Sequence, residues 1–178
     1  MIDATLRLLL VRPVAGVSVR DIAAEAGVNH GLVHRHFGSK DGLIRAAVKR
    51  AASVVYTDET PPRTRWFYDR LREHPELAIL VARACLDGPS ELLAIAAPPP
   101  ALLEQLADRI TPALRRLGMR PGDAHVVNAL VTSALLGWFV FRPMLEAGYK
   151  LPARADDSLA QTIALLDHLL DANSASPR

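Results

Sequence analysis

Cysteine is all but missing from this chain of 178 residues, which has one copy, Cys85. A single thiol closes no internal disulfide and builds no metal framework, which fits a reducing compartment. Aromatic residues are scarce at 5 %, yet half the chain is hydrophobic. A core drawn mainly from leucine, alanine and valine suits helices packed on helices. Sustained period-two alternation is absent, so no β-sheet is expected. Also absent are a glycine-rich phosphate loop, a nucleophile elbow and a paired-carboxylate constellation. Cys85 lies in the apolar helical stretch Val81 to Leu86, where a buried structural thiol is the default. The reading is a non-enzyme that needs no cofactor and holds no metal.

Long hydrophobic runs are nearly absent as well. The N-terminal apolar run is broken by Asp3 and Arg7 and is followed by no convincing cleavage site, so no signal peptide is read. Ala124 to Phe141 is the one stretch long enough to suggest a membrane span. It carries His125, Asn128, Thr132 and Ser133, and reads better as a buried interface helix. A cytoplasmic protein with no membrane partner is expected. Net charge is only +2, but residues 1–50 hold eight Lys/Arg against four Asp/Glu, and the remainder thirteen against fifteen. The positive excess falls on the N-terminal segment, as phosphate binding requires.

That segment holds the most informative string, Ser18 to Leu43. Ser18 is a good N-cap; Ile22, Ala23 and Ala26 then recur at helical spacing. Gly27 supplies the left-handed conformation that ends a helix sharply, Val28 turns back to the core, and Asn29 caps a second helix. Val33 and Phe37 anchor that helix inward, leaving His30, Gly31, His34 and Arg35 outside. This is the layout of a helix–turn–helix, whose second helix enters the major groove.

The string resembles the DNA-binding domain of the tetracycline-repressor (TetR) family of bacterial transcription regulators. The matching residues are Ile22-Ala23, Ala26-Gly27-Val28, His36-Phe37, Ser39-Lys40 and Leu43. The match covers roughly the first 50 residues, and the remainder shares only an all-helical architecture. The fold expected is all-α: an N-terminal three-helix helix–turn–helix domain over residues 1–50, then a larger helical effector-binding and dimerisation domain over 51–178.

Helices are expected over Ile2–Val11, from Ser18 to Ala26, from Asn29 to Phe37 and from Ser39 to about Tyr56. A loop Pro13–Val17 and a linker Thr57–Arg63 punctuate them. Further helices are expected over Thr64–Glu73, from Pro75 to Asp87, after a Ser90 cap to the triple proline, and over Ala101–Leu117. Two strong helices close the chain, one from Gly122 to Arg142 and one from Asp156 to Asp171. Leu159, Ile163, Leu166, Leu169 and Leu170 form the apolar side of the last. The tail from Asn173 should fray.

The resemblance implies DNA contacts at Ser18, Arg20, Asn29, His30, Gly31, Leu32, His34, Arg35, His36 and Lys40. Arg20 resembles a base-reading position, where arginine reaches O6 and N7 of guanine. His30, Gly31, Leu32 and Arg35 fall at groove-facing positions. Ser18, His34, His36 and Lys40 fall where the family grips phosphates, Lys40 beside the amides of a helix start. Family members usually carry tyrosine at the place of His34 and often lysine at that of His30, so binding here gains a source of pH sensitivity. Two plainer readings stand beside these. Arg20 is also placed to pair with Asp21 or Glu25, and His30 with His34 has metal-ligand spacing, though no third ligand follows. A basic arm usually precedes the first helix in the family. Either that arm is missing ahead of Met1-Ile2-Asp3, or binding uses fewer backbone contacts.

The resemblance further implies a homodimer through the last two helices, where Ala129, Ser133, Ala134 and Gly137 permit close approach; closure of the monomer core is the alternative. It implies a small-molecule effector pocket, for which Trp66, Phe67, Arg83, Cys85, His125, Trp138, Phe141, Arg142 and Met144 are the candidates, with an apolar or aromatic occupant. Core packing is the competing role for each. The function expected is a ligand-responsive repressor binding palindromic operators. The rival is a helical ligand-binding or interaction protein of this fold that has lost DNA binding.

Overall fold

Local capping at Ser18, Asn29 and Ser39 accounts for three successive helix starts, as the computed structural model shows. It describes residues 1–56, 61, 63–120 and 122–175, without side chains at 90 and 172–175. Among the described residues all regular structure is helical. Helix α1 spans Ile2–Val11, α2 Val19–Ala26, α3 Gly31–Phe37 and α4 Lys40–Val55. After them come α5 (Thr64–Glu73), α6 (Glu76–Asp87), α7 (Ser90–Ala96) and α8 (Pro100–Arg116). The chain closes with α9 (Asp123–Val140), α10 (Arg142–Tyr149) and α11 (Ala155–Ala175).

Contacts divide these helices into two compact units. The first joins α1 to α4 with α6 and α7; the second holds α5 and α8 to α11. The first unit therefore draws in residues well beyond 50. The reason is burial: Leu77, Ala78, Leu80 and Ala84 of α6 and Leu92 of α7 are removed from water within it. They join a core of Leu9, Val17, Ile22, Val33, Leu43, Ile44 and Ala47. Helix α4 is central, packing on α1, α3, α6 and α7.

In the second unit α11 lies on α5 and α8, and α9 on α5, α8 and α10. Ala107, Ile110, Leu114 and Ala124 form an apolar cluster, with Val127 and Leu170 against it. Arg109 Nη1 donates to Asp167 Oδ1 at 2.7 Å and its Nε to Asp171 Oδ1 at 2.9 Å. The Arg65 amide donates to the other Asp167 oxygen.

Three local expectations change. The loop after Pro13 contains a short 3-10 turn, Val14–Gly16. The penultimate helix stops at Val140 and α10 follows, because Pro143 lacks the N–H needed to continue a helix but fits the first turn of a new one. The stripe expected on the last helix also divides. Ile163 is buried and Leu159 and Leu170 half-buried, while Leu166 and Leu169 are exposed beside Leu165. The Thr57–Arg63 linker lies mostly outside the described residues, as do 176–178 of the tail. Helix α11 continues through Ala175.

Candidate nucleic-acid interface

Two caps and a glycine set the attitude of α3. Ser18 Oγ accepts from the Asp21 amide at 3.1 Å, and Asp21 Oδ2 accepts from the Ser18 amide at 2.8 Å, a reciprocal capping box. The Ser18 hydroxyl donates to the same Asp21 oxygen. These Ser18 contacts, with help from Arg12, hold the Asp21 carboxyl below its ordinary range. Helix α2 ends at Gly27 with φ 64°, where the Val28 amide donates to the Ala23 carbonyl at 3.0 Å. Asn29 Oδ1 then accepts from the Gly31 amide at 2.8 Å and so opens α3. At the far end Ser39 Oγ accepts from Gly42 and starts α4.

Val33 is fully buried and Phe37 half-buried, so α3 is held by its inner side. His30, Gly31, His34, Arg35 and His36 are exposed on it, and Leu32 is half-buried. Arg20 stands exposed on α2, and Lys40 is half-buried at the start of α4. The alternative partners of Arg20 are engaged elsewhere. Glu25 accepts from Arg7 Nε at 2.7 Å, and Asp21 faces Arg12 at 3.5 Å. No ion pair involves Arg20, Arg35 or Lys40 among the described residues. Ser18 differs from the others, since its hydroxyl is committed to the capping box.

The effector candidates are distributed over both units. Arg83 and Cys85 lie on α6 in the first unit, with Arg83 paired to Asp87 at 3.1 Å and Cys85 exposed. The others belong to the second unit. There Arg142 stacks over Trp138 at 5.2 Å, and both donate to Asp156 Oδ1. Arg142 also pairs with Glu146 at 2.6 Å, so its charge is already balanced. Burial pushes the Asp156 carboxyl up, but the hydrogen bonds from Arg142 and Trp138 hold it below the ordinary range. Trp66 lies under Arg70 and Phe67 is half-buried. His125 is exposed 4.0 Å from Glu104, and Phe141 and Met144 are exposed.

An open hollow of about 280 Å³ unforeseen in the sequence lies on the first unit, lined by Val14, Asp41, Ile44, Arg45, Pro89, Glu91 and Leu92. No periodic signal could have found it, since its walls come from three separate segments.

Similarity to known proteins follows the same geometry. The family model described as bacterial regulatory proteins, tetR family, matches residues 1–47. A helix-turn-helix-type transcriptional repressor of Mycobacterium tuberculosis is 31 % identical over 169 residues, spanning 92 % of this chain and 82 % of that protein. A transcriptional regulator of Mycobacterium bovis matches to the same extent. Among solved structures, BioQ of Mycobacterium smegmatis superposes with a TM-score of 0.53 at 22 % identity, covering 97 % of this chain and 96 % of that one, which bears on the fold.

Proposed function

Because the chain belongs to the TetR family and is a DNA-binding transcription regulator, we propose that it represses by sitting as a dimer on palindromic operators until a small apolar effector releases it. The observation that carries this reading is the α2–α3 pair. Arg20, His30, His34 and Arg35 stand exposed on it, while Val33 and Ile22 fix it from within. Residues 1–50 read DNA in this proposal, and residues 51–178 bind the effector and dimerise. Arg20 and Arg35 read base edges with His30, Gly31 and Leu32; Lys40, His34 and His36 grip phosphates; Asn29 fixes where the reading helix begins. Ser18 keeps a place in this set mainly by capping α2. The regulator works in the cytoplasm, where its DNA lies.

A twofold dimer is supported by surface chemistry. On α9, Val126 and Leu130 are more than two-thirds exposed, and Ala129, Ser133 and Ala134 share that face at helical spacing. On α11, Leu165, Leu166 and Leu169 are exposed. Apolar rows of this extent favour a partner surface, and a second copy brings a palindrome's other half-site. Helix α9 is also long and apolar enough to cross a membrane, with a mean hydropathy of 1.3. Of its residues Ala124 and Leu135 are buried within the chain, so the burial expected of this helix is left to a partner, and its His125, Asn128 and Thr132 suit a protein partner better than lipid. The apolar side chains of the second unit favour an apolar or aromatic effector. A mutation-proof test is selection of duplexes from a random library by the full chain. Enrichment of an inverted repeat is expected; recovery of no preferred sequence overturns the proposal.

A further inference from the structure

Histidine is concentrated where DNA should lie: three of the six histidines, His30, His34 and His36, fall on α3 and its cap. All three are exposed. No carboxylate lies within ion-pair distance of any of them among the described residues. His34 Nδ1 donates to the Gly38 carbonyl at 3.3 Å. That bond occupies Nδ1–H and leaves Nε2 as an acceptor when the ring is neutral and a donor when it is charged. His36 meets the Phe37 ring edge-on, with centroids 6.5 Å apart. His30 precedes the first turn and makes no side-chain cap bond.

The charged surroundings are those of α2 and α4. Helix α2 contributes Arg20, Asp21 and Glu25, and both acids are taken, Asp21 by Ser18 and Arg12 and Glu25 by Arg7. Helix α4, packed on α3, contributes Lys40, Asp41 and Arg45, with Asp41 in its own first turn, where helix amides attract it. Arg35 is the cation of α3 itself. The imidazoles thus have no committed anionic partner in the free protein; on DNA His34 and His36 would acquire phosphates, and His30, at the base edges, would lie in the field of the flanking ones.

Resting on the DNA-binding reading, we infer that these three histidines couple DNA binding to proton uptake, so that the regulator holds DNA more tightly as pH falls. A phosphate beside an imidazole favours its charged form. Proton uptake is therefore coupled to binding. Binding is thus tightest at the acid end and weakens as pH rises. Each histidine that gains a proton and a phosphate also releases a counterion, so the salt dependence steepens by about 0.9 per contact.

The test titrates the full chain against a fluorescent duplex of random sequence, longer than two helical turns, from about pH 5.5 to 8 at several salt concentrations. The expected result is a dissociation constant that rises at least about tenfold across that range, with a steeper salt slope at the acid end. Replacing all three histidines by glutamine should give a flat profile at the weak level, and replacing them by lysine a flat profile at the strong level. Circular dichroism at each pH checks that the variants are folded; single glutamine variants serve if the triple one is not. A flat profile for the native chain, or a slope that survives the glutamine changes, overturns the inference. No binding at any pH overturns instead the DNA-binding reading beneath it.

Discussion

Arg109 and Asp167, 58 positions apart, form the most buried ion pair among the described residues, with side chains 11 % and 6 % exposed. The pairing joins α8 to α11, and the Arg65 amide from α5 completes the Asp167 carboxylate. Three helices of the second unit thus meet at one acid. A buried pair of this kind contributes little over well-packed apolar residues, yet losing one partner leaves an uncompensated charge. Arg109→Ala should therefore cost about 3–5 kcal/mol, read as a lowered urea midpoint at unchanged slope. The double change Arg109→Met with Asp167→Leu should recover most of that loss.

Arg20→Ala and Lys40→Ala should weaken DNA binding in different ways. Arg20 faces base edges in our proposal, so its loss should relax preference at one position of each half-site, costing about 1–3 kcal/mol there. Lys40→Ala should weaken all sequences alike and flatten the salt slope by about one unit. Binding to the selected operator and to scrambled duplexes at several salt concentrations separates the two.

Ser18→Ala removes the acceptor for the Asp21 amide and the reciprocal geometry around it. A loss of about 1 kcal/mol of stability is expected, visible in thermal unfolding. If Ser18 acts chiefly as a cap, the salt slope of DNA binding stays at its native value.

Acid should loosen the second unit through Asp156. Its carboxyl is held below the ordinary range in the fold despite burial, by Arg142 and Trp138. The unfolded chain therefore takes up the proton first as pH falls. This contribution is complete above the unfolded carboxylate value, about 3.9, and is lost as pH drops through the lower folded value. Asp171, held low by Arg109 first and by Arg63, acts with the same sign. Asp156→Asn should lower stability at neutral pH and lessen its fall below about pH 4, measured by denaturant melts along a pH series.

Leu130→Glu combined with Leu166→Glu places charge on both exposed apolar rows without touching the buried cluster. Light scattering at micromolar concentration should give twice the chain mass for the native protein and the single mass for the variant. A native monomer would sink the dimer proposal.

Most of the helix–turn–helix was legible in the sequence because its signals are local. Ser18, Gly27, Asn29 and Ser39 act on amides or carbonyls within a few residues, and the two ends of α2 and the starts of α3 and α4 follow from them. The placement of α10 was missed because Pro143 reads equally as the end of one helix and the start of another. Residue type singles out effector candidates but does not say that Arg142 already serves Asp156 and Glu146.

Sequence alone determined the helical class, the reading helix and its exposed histidines, since caps, glycine turns and 3.6-residue periodicity are set by near neighbours. Tertiary structure decided which helices share a core. It drew α6 and α7 to the first unit, divided the leucines of α11 between core and surface, and paired Arg109 with Asp167. The reason is physical. A helix with apolar residues on more than one side can bury any of them, and the choice falls to neighbours far away in sequence.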